Sequence, residues 1–226
     1  MKTLKSLTRT PLRLAAAVSI ATAALTTGAA SLVVSPAPAQ AQTRASDLDR
    51  AVKALRAINT MRADFTQTDR QGATMRGVLT LKRPGKIRFD YGKDADLLVV
   101  ANGKSLYMVD YEVNQVERWP IKNSPLGALL DPNRDVKQYG TLIPTGSPEV
   151  LSIEVKDPKK PEYGTINLIF VNNPRAPGGM QLTHWVALDA QNHRTTVRLS
   201  NHRYGVSIAE STFKFRDPRR SSRRPR

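Results

Sequence analysis

From Gly77 to Tyr91 the chain alternates apolar and polar residues on both sides of Arg83-Pro84-Gly85-Lys86. Period-two alternation broken by a Pro-Gly pair predicts a β-hairpin. Leu79 and Leu81 then share one face of the first strand, and Ile87, Phe89 and Tyr91 share one face of the returning strand. Arg83 stands on the shoulder of the turn. Its long cationic side chain either reaches back over the apolar face or points at water.

The same alternation recurs along most of the chain. Ala63, Phe65 and Gln67 predict a strand ending in a turn at Arg70-Gln71-Gly72, and Leu97–Ala101, Ser105–Val109 and Val113–Trp119 predict three more. Asn102-Gly103 joins the first two of these three as a tight hairpin. Strand patterns resume at Val150–Val155, Thr165–Val171, Gln181–Leu188, Thr195–Ser200 and Ser211–Phe215, with a Pro- and Gly-bearing loop from Asn172 to Gly179. Two stretches follow the helical period instead. Ser46-Asp47 ahead of Leu48, Val52, Leu55 and Ile58 predicts a capped amphipathic helix reaching about Asn59. Ser124-Pro125-Leu126-Gly127-Ala128-Leu129-Leu130 reads as an N-cap, a proline in the first turn and a short apolar helix. A second short turn is expected over Asn133–Gln138. About ten strands and two helices make the expected class mainly β with a helical cover (α+β), a strongly curved antiparallel sheet under short helices.

Composition adds the compartment. Lys2, Lys5, Arg9 and Arg13 precede an apolar run from Leu14 to Leu25, and Ala39-Gln40-Ala41 fits a small-x-small cleavage site. Residues 1–41 are therefore expected to be a secretory signal peptide, with one domain over 42–215. Cysteine is absent, which excludes a thiol nucleophile, thiolate zinc sites and a lipid-modified N-terminal cysteine. The formal charge is +16, and residues 216–226 hold six Arg against one Asp. Such a tail buries no apolar surface and is expected to be disordered. Nucleic acid is the first partner such a charge suggests. Export argues against it and favours an anionic membrane face, although a merely solubilising tail fits equally well.

Catalytic chemistry is nearly missing. His184, His193 and His202 carry no HxH or HExxH partner, Gly178-Gly179 lacks a phosphate-binding frame, and no nucleophile motif is present. No enzyme activity, metal or cofactor is expected. A short apolar helix over a curved sheet has another use: lifted, it opens a cavity whose natural ligands are acyl chains, each buried methylene contributing about 0.8 kcal/mol without a directional partner. From composition alone, the same leucines read first as ordinary core.

Several stretches resemble, in order, the LolA family of periplasmic lipoprotein carriers. They are Phe65-Thr66-Gln67, Gly77 through Tyr91, Asn102-Gly103-Lys104-Ser105-Leu106-Tyr107, Asp110 with Gln115-Val116, and Ser124-Pro125-Leu126 before Leu129-Leu130. The resemblance implies an incomplete β-barrel with a helical lid. It also implies a cargo of triacylated lipoproteins, an inner-membrane ABC transporter as donor, an outer-membrane receptor as acceptor, and a monomer working in the periplasm. Arg83 matches the lid-latching arginine, whose guanidinium would hydrogen-bond lid carbonyls when the cavity is empty. Leu126 and Leu129 match apolar lid positions, and Ile87 and Phe89 the apolar positions just after the latch. Phe65, Leu79, Leu81 and Leu130 complete the residues expected against acyl chains. Arg219, Arg220, Arg223 and Arg224 are those expected at a membrane or partner, and the tail they sit in does not match the family's usual C-terminal extension. A similar carrier of another lipid, or a basic protein tethering to the envelope, are the alternatives.

Overall fold

The computed structural model describes residues 37–92, 95–121, 124–131, 133 and 135–219, with side chains from Asp47 onward. The expected signal peptide lies outside the described residues, apart from the backbone of 37–41.

Helix α1 (Ala37–Ala57) leads into a single antiparallel sheet of eleven strands. The first six are β1 (Thr60–Thr68), β2 (Thr74–Lys82), β3 (Lys86–Asp90), β4 (Leu97–Asn102), β5 (Ser105–Asp110) and β6 (Gln115–Pro120). They form a meander running outward from β1. Helix α2 (Pro125–Leu130) follows, then β7 (Gly140–Ile143), β8 (Val150–Lys156), β9 (Thr165–Asn172), β10 (Met180–Leu188) and β11 (Arg194–Tyr204). The spatial order is β6-β5-β4-β3-β2-β1-β11-β10-β9-β8-β7. The second meander thus starts at the far edge and works back until β11 pairs with β1, from Met61 opposite Tyr204 to Thr68 opposite Thr196. β6 and β7 remain as unpaired edges, so the barrel is incomplete, and the segment bearing α2 is the link between them.

The sheet is curled about its apolar face. Phe89 on β3 and Trp185 on β10 lie four places apart in the strand order, yet their rings meet edge to face with centroids 5.8 Å apart. Alternation fixes which residues turn inward: Met61, Ala63 and Phe65 on β1 are buried while Arg62, Asp64 and Thr66 are not. Ala51, Val52, Leu55 and Ile58 of α1 join them in the main core. A smaller core lies on the opposite face, where Ile208 and Phe213 of the C-terminal segment cover Leu98, Val100 and Val109.

Several expectations need correction. α1 begins at Ala37, well before Ser46, so Ser46-Asp47 is no cap; the Ala- and Gln-rich run from 37 to 45 favours helix, and Pro38 falls in the first turn where its missing N–H is harmless. β6 starts at Gln115, and Val113 sits exposed in the preceding turn. β7 was not expected. Ser211–Phe215 is not a strand: a 3₁₀ turn occupies Glu210–Phe213 and buries Phe213 against the sheet. The tail is described only as far as Arg219, which is exposed and pairs with Asp217 at 2.8 Å. Arg220, Arg223 and Arg224 lie outside the described residues.

Candidate functional site

Six residues make a helix too short to hold its shape alone, and α2 is held by its surroundings. Ser124 Oγ accepts from the Gly127 N–H at 3.1 Å and donates to the Ile121 carbonyl at 2.9 Å, closing the N-terminus. Gly127 is required there, because a Cβ would stand 1.9 Å from the Ile121 oxygen. Leu129 and Leu130 are buried against the main core, each burial contributing roughly 1.5–3 kcal/mol. At the C-terminal end the Gly85 N–H donates to the Leu130 carbonyl at 2.9 Å, tying the helix to the β2–β3 turn.

Beneath α2 lies a cavity of about 200 Å³. Leu79, Leu81, Ile87 and Phe89 form its wall on β2 and β3, and Leu126, Leu129 and Leu130 form its roof. Phe65 does not line it; its ring stands behind Phe89, 5.4 Å away edge to face, and also meets Tyr91 at 5.0 Å. The opposite wall is Ile166, Leu168, Leu182 and Trp185 from β9 and β10, closed below by Leu55 and Met61. Sequence reasoning missed that wall. Its residues alternate correctly within their strands, but only the curl of the sheet brings them over β2 and β3.

Among the described residues Arg83 is the one charged side chain at this cavity. Burial pulls its guanidinium down to about 10, Asp131 at the end of α2 partly offsetting the effect and Arg56 adding to it. Its Nε is buried with no hydrogen-bond partner. Among the described residues no hydrogen bond joins the guanidinium to a lid carbonyl; the bond that crosses from turn to lid is the backbone one from Gly85. Arg83 therefore stands at the rim as an incompletely satisfied cation, which an incoming acceptor would stabilise.

The histidines are engaged elsewhere. His193 Nδ1 meets Asp189 at 3.0 Å, His202 bridges Gln181 and the Leu182 carbonyl, and His184 lies beside Thr183.

The site is thus a largely apolar hollow under a short helix, in an open sheet, with Arg83 at its rim. The family model described as outer membrane lipoprotein carrier protein LolA matches residues 56–216. The chain belongs to the LolA family. An outer-membrane lipoprotein carrier protein of Chromobacterium violaceum is 31% identical over 171 residues, covering 71% of this chain and 78% of that one. Its counterpart in Dechloromonas aromatica is 28% identical over 175 residues, covering 73% and 80%. A solved LolA superfamily protein from Nitrosomonas europaea aligns with a TM-score of 0.44 at 12% identity, covering 76% of this chain and 97% of that one. The match spans β1 through β11 of this LolA-family chain, and thus every lining residue of the cavity except Leu55, α2 included.

Proposed function

We propose that this protein carries lipoproteins through the periplasm toward the outer membrane, holding their acyl chains in the cavity beneath α2. The observation that carries the reading is the cavity itself: apolar but for Arg83 at its rim, roofed by a helix that few polar bonds hold, and located in a LolA-family fold. At about 200 Å³ the closed hollow is smaller than the ~300–1,000 Å³ of sites that enclose drug-sized ligands. Loading therefore requires α2 to lift, and acyl chains replace its leucines against Leu79, Leu81, Ile87 and Phe89.

In this reading the Gly85 backbone bond holds the lid, Arg83 is the rim cation that senses whether the cavity is filled, and Phe65 is a support that keeps Phe89 in the wall. Cargo arrives from an inner-membrane ABC transporter and leaves to an outer-membrane receptor, with the carrier acting as a monomer after its signal peptide is removed at residue 41. Closure competes with cargo for the same apolar surface, which keeps retention weak enough for release.

The test is to incubate the purified chain with spheroplasts of its host and identify what it extracts into the soluble fraction by mass spectrometry. Triacylated proteins in one-to-one complexes are the expected result. Extraction of a different lipid alone would replace lipoproteins with that lipid as the cargo, and extraction of nothing acylated would end the reading.

A further inference from the structure

Alternation places Arg62 of β1, Arg76 of β2, and Arg194, Arg198 and Arg203 of β11 on the outer face of the sheet, away from the cavity. Arg62 and Arg203 are direct cross-strand partners, and Arg76 and Arg198 both pair with Thr66, one on each side of it. Like charges set opposite one another destabilise a sheet. Among the described residues none of the five forms an ion pair, and Arg62 Nε is buried without a hydrogen-bond partner. Carboxylates nearby are already engaged: Asp90 with Arg88 at 2.9 Å, Glu210 with Lys82 and Lys86, and Asp64 as acceptor from Asn201 at 2.7 Å. Arg198 stands opposite His184 on β10 and adds to the burial that pushes that imidazole down.

Among the described residues the protein thus gathers five arginines on three adjacent strands against one carboxylate of those strands, Asp64, and keeps a net positive charge there. We infer that this face docks on the anionic phosphate headgroups of a phospholipid bilayer. Two observations favour a bilayer over an acidic protein. A specific protein interface is anchored by buried aromatic or aliphatic groups in pockets, and here the exposed large apolar side chain is Val78 alone, at 38%. A headgroup layer asks only for charge, which guanidinium supplies in a fork matched to phosphate. The sequence continues past Arg219 with Arg220, Arg223, Arg224 and Arg226, and a chain lacking them isolates the contribution of the face.

The experiment is co-sedimentation of the cargo-free chain from residue 42 onward with phosphatidylglycerol-containing vesicles, with phosphatidylcholine vesicles as control, so that its outcome is independent of acyl-chain carriage. Binding to the anionic vesicles alone, and its loss at high salt, are expected. The Arg76→Gln/Arg198→Gln double variant is expected to bind about 30-fold more weakly, as removal of two basic residues from an anionic surface predicts. Its melting temperature should stay level or rise, whereas a structural role for these arginines would lower it. A chain ending at Arg219 should bind more weakly and still respond to the double substitution. The proposal is overturned if anionic vesicles are not bound, if the double substitution changes nothing, or if only native membranes bearing an acidic protein retain the chain.

Discussion

The backbone N–H of Gly85 donates to the carbonyl of Leu130 at 2.9 Å, and this single bond ties the β2–β3 turn to the end of the lid helix. Arg83, two residues earlier in the same turn, lines the hollow beneath the lid instead, its Nε unpartnered. In the proposed reading, holding the lid and sensing what lies under it are therefore divided between Gly85 and Arg83 of one turn.

That division sets the outcome for Arg83→Leu. Arg83 is protonated in both folded and unfolded chains at pH 7, and burial that lowers its pKa from 12.5 to about 10 is a cost to the fold throughout the neutral range. Replacing it with leucine is expected to stabilise the empty protein by roughly 1–2 kcal/mol, the shift being discounted for residual solvent screening. Urea titration at pH 7 checks this, and the gain should shrink only above about pH 10. In a transfer assay the variant should load acyl cargo and deliver it poorly; normal delivery would remove Arg83 from the cycle.

Gly127→Ala places a methyl group on the Ile121 carbonyl, which lies 1.9 Å from the position of that Cβ. The helix must move off its cap to accept it. A loss of about 1–3 kcal/mol is expected, typical of overpacking, together with stronger binding of an apolar fluorescent dye as the hollow opens. A destabilised variant without increased dye binding would mean that α2 and the cavity are not coupled.

Trp185 lines the cavity while Trp119 is 42% exposed, so Trp119→Phe leaves an emission that reports on the interior. Brominated acyl chains should quench it, and water-soluble iodide should not. Phe89→Ala in that background removes the ring 5.8 Å from the indole and should cost about 3–5 kcal/mol. Equal quenching by iodide would place Trp185 in solvent and contradict the closed state.

Glu210 ties the C-terminal segment to β2 and β3, and the ammonium groups of Lys82 and Lys86 hold its carboxyl down at about 2. A depressed carboxyl contributes stability above its unfolded value of 4.5, and that contribution disappears as the pH falls toward about 2. Parent and Glu210→Gln should therefore differ in urea midpoint at pH 6 and converge between pH 4.5 and about 2. Curves that run parallel to pH 2 would deny the contact in solution.

How much of this was legible in the chain depends on how far apart the interacting residues are. The β2–β3 hairpin, the Asn102-Gly103 turn and the Ser124 cap are local patterns, and each appears where the alternation or the capping residue put it. The roof leucines were readable for the same reason. The start of α1 was not, because the residues ahead of Ser46 favour helix without any periodic apolar face. Ser211–Phe215 failed instructively. Alternation says only that every second residue is buried, and a strap crossing the outside of a sheet satisfies that as well as a strand does; Ile208 and Phe213 are buried this way. Trp185 and Leu182 belong to the cavity through the curl of the sheet, which no short window encodes.

The strand order has a mechanical consequence. Since β6 and β7 share no rungs, a hydrocarbon guest can push the two flanks of the sheet apart without unzipping a single ladder. In the proposed reading, swelling around a guest would be resisted by the contacts of the connecting span with the β2–β3 turn and α1 rather than by the sheet's own ladders, and the girth of the interior would become a property of what it swallows.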